Sequence, residues 1–250
     1  MKKGYWWSVF LTLCIMLSGC VSANRHADAP EIKVFSLNVL QEATRVENGF
    51  DLTVEQIVQL EPDLVAFSEV RNYNDNDFIG RLVAALRERG LVYYGEKSFS
   101  TGIISKYPII RQEVLSPWDS RDRGSATKAL VDIQGRAIAF YSLHLDSRHY
   151  AAYLPRSYGS SSWKKVAAPV TDIEELLKDS RESYRDEIME VVIADANRER
   201  LQGRGILICG DFNEPSHLDW QADTAHLRDH NGVVIDWDLS KMLYDSGYLD

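Results

Sequence analysis

Two carboxylates, two carboxamides and an imidazole hold comparable places in this chain: Glu69, Asp211, Asn38, Asn213 and His144 each close or directly follow a short apolar run. Such groups are expensive to bury unless they bind something. Carboxylate and amide oxygens suit a hard divalent cation, Mg²⁺ or Mn²⁺. Structural zinc would call for clustered cysteines or a close histidine pair, and the sequence has neither. A hard cation beside one histidine points to phosphate chemistry. The cation polarises a phosphoryl oxygen, a carboxylate orients or deprotonates water, and amide and imidazole donors hold the charge that accumulates during in-line displacement. Taken singly, each residue has a plainer role: Asn38 as a turn former, Glu69 as a surface acid, His144 as a hydrogen-bonded core histidine, Asp211 as a loop cap. Their recurrence in one context favours a single assembled site. A separation of Glu69 from Asp211 beyond ~12 Å, outside any shared coordination shell, would exclude it. No glycine-rich triphosphate loop and no serine in a nucleophile-elbow context occurs.

The elements that must position these groups alternate short apolar runs with helical periodicity, which predicts an α/β (α+β) domain with a substantial sheet. Ile32 to Leu37 reads as a strand running into Asn38. A helix is expected from Thr53 to Leu60, with Thr53 and Gln56 at capping-box spacing and Pro62 ending it. Asp63 to Phe67 reads as a buried strand leading to Ser68 and Glu69. Phe78, Leu82, Ala85 and Leu86 mark a second helix closed by Gly90. Strands follow at Ile103 to Ser105 and from Thr127 to Ile133, turning at Gln134-Gly135 into Arg136 to Leu143 and His144. Residues 151–168, rich in Ser, Tyr and Pro, read as a long surface loop near the working face. Helical signal returns between Asp172 and Arg200 with a break near Ser180, its apolar side carrying Tyr184, Ile188, Val191 and Val192 and its charges forming a solvated face. Ile206 to Cys209 then delivers Asp211 and Asn213. Strand ends in open α/β sheets are where ligands sit.

The first twenty residues read as an address. Lys2 and Lys3 precede an apolar stretch from Tyr5 to Met16 interrupted by two hydroxyls, a signal-peptide pattern too short for the ~20 apolar residues of a spanning helix. Leu17-Ser18-Gly19-Cys20 resembles a bacterial lipobox. This implies a lipoprotein signal peptide over residues 1–19, lipidation at Cys20, a tether over residues 20–30 and a domain from residue 31 to residue 250. The product would be exported and held on a membrane of the cell envelope by its N-terminal lipid. An ordinary cleaved secretory peptide is the alternative. Of the three cysteines only Cys209 would then remain unmodified in the mature chain, reading as an inert buried thiol. With 28 basic against 37 acidic residues and a net charge of −9, a broad basic surface for nucleic acid is not suggested, although a local basic cleft is compatible with the composition. At 250 residues and 45% hydrophobic content the chain has material for a large core, which excludes a disordered chain.

Five segments fall in a recognisable order. They are Ser36-Leu37-Asn38-Val39, Pro62 to Val70, Gly102 to Ile109, Ser142-Leu143-His144-Leu145 and Gly210-Asp211-Phe212-Asn213. Together they resemble the endonuclease/exonuclease/phosphatase superfamily over roughly Glu31 to Asp250. The resemblance implies the deoxyribonuclease I-like four-layer sandwich, two packed mixed β-sheets flanked by helices. It also implies Mg²⁺-dependent (or Mn²⁺-dependent) hydrolysis of a phosphate ester by activated water. On it Glu69 and Asn38 are expected at the metal, Asp211 at the attacking water or its base, Asn213 as a transition-state donor and His144 at the phosphate. His217 is expected to line the pocket or to serve a structural role. The superfamily's late Ser-Asp-His element has no match, since His226 and His230 lie in different contexts. The expectation is therefore a domain whose last strands are missing from this sequence. Three functional readings follow: a phosphodiesterase or phosphomonoesterase, a nuclease on extracellular nucleic acid, or a non-catalytic ligand-binding surface lipoprotein or inactive fragment.

Overall fold

The computed structural model describes residues 31–117 and 123–250. The signal segment and Cys20 lie outside the described residues. Ile32–Asp250 forms one compact unit.

Strands β1 (Val34–Asn38), β2 (Leu64–Val70) and β3 (Ser100–Ser105) form one sheet in that order, β1 parallel and β3 antiparallel to β2. Strands β4 (Ile109–Ser116), β5 (Gly124–Ile133), β6 (Arg136–Leu145) and β7 (Gly205–Asp211) form the second. Its first three strands are antiparallel neighbours, and β7 runs parallel to β6. Both sheets are mixed, and they pack face to face. Helices α1 (Gly49–Leu60) and α2 (Phe78–Glu88) cover the first sheet, and α4 (Arg185–Leu201) and α5 (Asp238–Asp245) cover the second. This is the expected four-layer arrangement. A further helix, α3 (Ile173–Ser180), packs with a short 3-10 turn, Ala151–Arg156, and with Trp220 and Trp237 in a separate apolar cluster.

Alternation along the strands fills the layers. In β2, Val65 and Phe67 face α1 and α2, while Leu64 and Ala66 meet Ile103, Ala129, Val131 and Phe140 between the sheets. In β6, Ala139, Tyr141 and Leu143 face α4, and Ile138 and Phe140 face inward. In β7, Ile206 and Ile208 face the helices while Leu207 and Cys209 face inward. Because side chains alternate with period two, continuing these rows carries Ser68, Ser142, His144 and Asp211 to the inter-sheet face. Polar residues thus replace aliphatic ones at one end of the sandwich, with Ser68, Ser142 and His144 buried and Asp211 partly exposed.

Several local expectations change. Helix α1 starts one turn earlier than Thr53, whose hydroxyl donates to the Gly49 carbonyl at 2.8 Å inside the helix, so no capping box forms there. Strand β4 carries no strong alternation and went unread; Ile110 and Val114 on it stand exposed beside half-buried neighbours. The loop of residues 151–168 contains the 3-10 turn and a small bridge between Tyr158 and Lys165. The break near Ser180 separates α3 from α4 as expected. The buried side of α4, however, is Ile188, Met189, Val192 and Ala196, with Val191 exposed. Its charges are only partly a solvated face. Asp195 and Glu199 are buried and bind Lys128 of β5, each at 2.8 Å, and Asp195 also accepts from the Tyr141 hydroxyl at 2.8 Å. Periodicity cannot distinguish a buried acid paired across a sheet from a solvated one.

Candidate active site

Asn38 ends β1 and directs its Nδ2 amide between two carboxylates. It donates to Glu69 Oε1 at 3.1 Å and to Asp211 Oδ2 at 2.9 Å. The two bonds meet at one nitrogen, so the acceptor oxygens lie no more than about 6 Å apart. Residues 173 positions apart in sequence are therefore joined across the two sheets.

Backbone irregularities aim each group. Glu69 sits at a β-bulge, where the β2–β3 register shifts between Ser68 and Val70, and its φ of +64° lies in the left-handed region. A bulge re-aims the extra side chain, and a non-glycine residue held at positive φ stores strain of about 1–3 kcal/mol that the surrounding structure must impose. Just after β1, Leu40, Gln41, Glu42 and Ala43 also have positive φ values, from 42° to 60°. This left-handed turn brings the Gln41 N–H to Glu69 Oε2 at 2.7 Å, and the Leu40 N–H donates to Asn38 Oδ1 at 2.9 Å. At the end of β7, Gly210 has φ of +135°, and a Cβ there would lie 2.1 Å from the Leu143 carbonyl oxygen. Only glycine lets β7 press this closely on β6 before Asp211 turns inward.

A seam of hydroxyls fastens the sheets beneath the carboxylates. Ser68 Oγ donates to the Leu143 carbonyl at 2.8 Å and accepts from the Asp211 N–H at 3.2 Å, while Ser142 Oγ donates back to the Phe67 carbonyl at 2.9 Å. Thr101 and Thr127 join through their hydroxyls at 2.7 Å. His144 is buried beside the pair, in register with Asp211 on the adjoining strand, and its Nδ1 shares a hydrogen bond with Ser100 Oγ at 2.7 Å. Asn213, at φ +50°, gives its backbone N–H to Asp211 Oδ1 at 3.0 Å and its side-chain amide to the Leu145 carbonyl at 2.9 Å. The structure thus brings Asn38, Glu69, Asp211, Asn213 and His144 to one end of the sandwich. His217 is buried apart from the pair, with its Nδ1 bonded to Ser240 Oγ at 2.9 Å and its ring 5.4 Å from that of Tyr244, where it fastens the segment after β7 to α5.

Residues not singled out in the sequence complete the support. Ser68, Ser100 and Ser142 carry no signal beyond their place at the polar ends of apolar strands. Arg185 is fully buried and donates to the carbonyls of Asp146, Arg148, His149 and Ser180, clamping the loop that follows β6. Burial holds its guanidinium below the ordinary arginine range. Glu214 is partly buried, accepting from Ser180 Oγ and the Leu239 N–H, each at 2.8 Å, and desolvation pushes its carboxyl up despite nearby Arg185. Burial likewise pushes the half-buried Cys209 thiol to about 11, consistent with an inert group. A cleft of about 930 Å³ runs beside Asp211, lined by Asn213, Tyr150, Tyr153, Trp163 and the edge of β7.

Among the described residues, no three His, Cys, Asp or Glu side chains form a ready cage for a metal. The donor set nonetheless fits a hard cation. Mg²⁺ is commonly held by one or two carboxylates and keeps waters and substrate phosphate as its remaining ligands. Here two carboxylates converge on the Asn38 carboxamide nitrogen, while its oxygen accepts from the Leu40 N–H; the amide turned over would add its oxygen as a third hard donor.

The sequence profile of the Endonuclease/Exonuclease/phosphatase family matches residues 35–248, and the chain belongs to that family. Its members are hydrolases of phosphate esters that generally use divalent metals. The C. elegans protein F14F9.5, described as uncharacterized, is 25% identical over 244 residues, covering 96% of this chain and 71% of its own length. Among solved structures, a humanized D. rerio TDP2 aligns at 15% identity and a TM-score of 0.47, over 73% of this chain and 66% of that one. The human Nocturnin catalytic domain with bound sulfate aligns at 15% identity and a TM-score of 0.47, over 74% and 64%. The chain thus spans less than two thirds of either solved chain.

Proposed function

We propose that the protein is a divalent-metal-dependent phosphodiesterase or phosphomonoesterase. The observation that carries this reading is the bridging of Glu69 and Asp211 by one Asn38 amide nitrogen, which fixes two acids from different sheets within about 6 Å. Glu69 would hold the cation together with Asn38, its amide turned to present oxygen, and the cation would neutralise charge on the phosphate and polarise it. Asp211, with Oδ1 fixed by the Asn213 N–H, orients the attacking water and takes up its proton directly or through a neighbouring base. His144, its ring set by Ser100, and Asn213 contact the phosphoryl oxygens and hold the charge that develops there. A nuclease acting on extracellular nucleic acid is the second reading, favoured by the two lysines, Lys164 and Lys165, that follow the cleft-lining Trp163.

The assay is hydrolysis of bis(p-nitrophenyl) phosphate and p-nitrophenyl phosphate with Mg²⁺ or Mn²⁺. EDTA or Glu69→Ala should each lower the rate by about 10²-fold or more, the scale of losing a charge-stabilising group. Activity surviving both treatments would refute the metal assignment.

A further proposal rests on sequence. The Leu17-Ser18-Gly19-Cys20 pattern supports export and lipid anchoring at Cys20 in a cell envelope, and labelling with radioactive palmitate should be lost in Cys20→Ala.

A further inference from the structure

Ser100 opens β3 in a backbone state that serine rarely adopts. Its φ is +63°, and Glu69, the extra residue of the β2–β3 bulge across from it, has φ +64°. Parity pairs the two as well. Along β3, Ile103 points between the sheets and Ile104 toward the helices, so period two assigns Ser100 to the helix side, just as it assigns Glu69 to the side of Val65 and Phe67. One irregularity re-aims both. It sends Glu69 to Asn38 and turns the Ser100 hydroxyl across to His144 Nδ1 on the second sheet, at 2.7 Å.

Neighbouring bonds hold Ser100 in that state. Thr101 joins Thr127 of β5, Ser98 Oγ donates to the Thr101 carbonyl at 2.5 Å, and Asn72 Nδ2 donates to the Ser98 carbonyl at 2.7 Å. Glycine would take this φ without strain; what serine adds is a hydroxyl with one hydrogen to place. Ser100 is 1% exposed, and its partner among the described residues is His144 Nδ1. If Nδ1 carried the imidazole proton, Ser100 Oγ would accept it, and the hydroxyl hydrogen would be buried without an acceptor. Leaving a buried donor unmet costs more than a hydrogen bond gains. With Nδ1 bare the hydroxyl donates, both groups are satisfied, and the ring proton sits on Nε2.

We propose that Ser100 is a positioning residue that fixes His144 as its Nε2–H tautomer, so that the ring offers a donor, not a lone pair, on the side away from Ser100. This deepens the phosphate-ester reading and rests on it, since a donor is what a phosphoryl oxygen gaining charge requires. One bulge then sets two groups of different function, the acid assigned to the cation and the imidazole assigned to the phosphate. Ser125 supplies an internal control. It stands opposite His144 on β5 and is fully buried, and its hydroxyl has no partner among the described residues.

The test is proton–nitrogen correlation NMR of the intact chain carrying isotope-labelled histidine, at about pH 8, above the ordinary imidazole range. His144 is assigned by its loss from His144→Gln. Its Nδ1 should be unprotonated and hydrogen-bonded, with the proton on Nε2. In Ser100→Ala, and in Ser100→Gly, where the backbone is relaxed, the Nδ1 resonance should move toward its protonated position as the second tautomer becomes populated. Ser125→Ala should leave it in place. For p-nitrophenyl phosphate, kcat should fall at least about tenfold in both Ser100 variants while KM and Mn²⁺ affinity stay within about twofold. An Nδ1–H tautomer in the native chain, or a His144 spectrum unchanged in both Ser100 variants, would overturn the assignment. The expected spectra in a chain that hydrolyses nothing leave the tautomer standing and sink the catalytic reading. Hydrolysis by a chain whose His144 is protonated on Nδ1 does the reverse.

Discussion

Replacing Asn38 by aspartate turns the bridging amide into a third carboxylate. In the native protein one Nδ2 satisfies Glu69 at 3.1 Å and Asp211 at 2.9 Å. In Asn38→Asp both attractive contacts become like-charge contacts at about the same separation. At 3 Å, Coulomb's law gives about 5 kcal/mol per pair at an effective dielectric of about 20 and about 1 kcal/mol in water. Asn38 is exposed, so the watery end of that range applies. The two contacts together should cost about 2–4 kcal/mol, or roughly 5–15 °C in Tm for a domain of this size. A divalent cation reverses the sign, because three carboxylates around it form a stronger site than two acids and an amide. The experiment is thermal unfolding of the native chain and Asn38→Asp in EDTA and in Mg²⁺. The variant should melt well below the native chain in EDTA and gain more from Mg²⁺ than the native chain does, by the usual linkage of binding to stability. A variant as stable as the native chain in EDTA, or one that Mg²⁺ leaves unmoved, would refute the claim that the acids converge on a cation position.

Gly210→Ala should destabilise by more than about 4 kcal/mol, because the new Cβ would meet the Leu143 carbonyl at 2.1 Å and the φ of +135° is closed to alanine; urea unfolding reads the loss, and a change under 1 kcal/mol would contradict the close β6–β7 approach. The Lys128 cluster sets a pH window. Burial alone would raise the carboxyls of Asp195 and Glu199, but hydrogen bonds from Lys128, with Tyr141 on Asp195 and Arg204 on Glu199, outweigh it and hold both below the ordinary carboxylate range. A depressed acid stabilises the fold above its unfolded value near pH 4 and loses that contribution as pH falls through its folded value. Stability should therefore drop below about pH 4, with a shallower drop in Asp195→Asn; identical acid profiles for variant and native chain would contradict the assignment.

The fold was legible where alternation and strand length agreed. The runs ending at Asn38, Glu69, His144 and Asp211 each became a strand; the inward parity of Asn38, His144 and Asp211 follows from period two, whereas Glu69 has the parity of the helix-facing Val65 and Phe67 and is re-aimed by the bulge. What escaped was what a one-dimensional pattern cannot encode. Strand β4 lies at an edge with both faces partly wet, so its sequence does not alternate. Thr53 carries a capping residue's identity inside a helix, because packing of Phe50 against Phe78 of α2, with ring centroids 5.8 Å apart, supports a turn of α1 before its local start signal. The charges on α4 were read as solvated, since nothing local reveals that β5 places Lys128 beneath them. At the site, the identities of Asn38, Glu69 and Asp211 were readable, but their union was not. It depends on a bulge, a left-handed turn and a seam of serines, each defined by partners far away in sequence. Ser68 is the clearest case: an ordinary residue type that joins Leu143 to Asp211.

The central claim is that Glu69 and Asp211 share one hard cation. Titration of Mn²⁺ into the intact chain, followed by the electron paramagnetic resonance of the free ion, tests it without any substrate. The account predicts one ion bound per chain, with affinity falling about tenfold or more in Glu69→Gln and again in Asp211→Asn, each losing a charged ligand oxygen. Undiminished binding in both variants would contradict it.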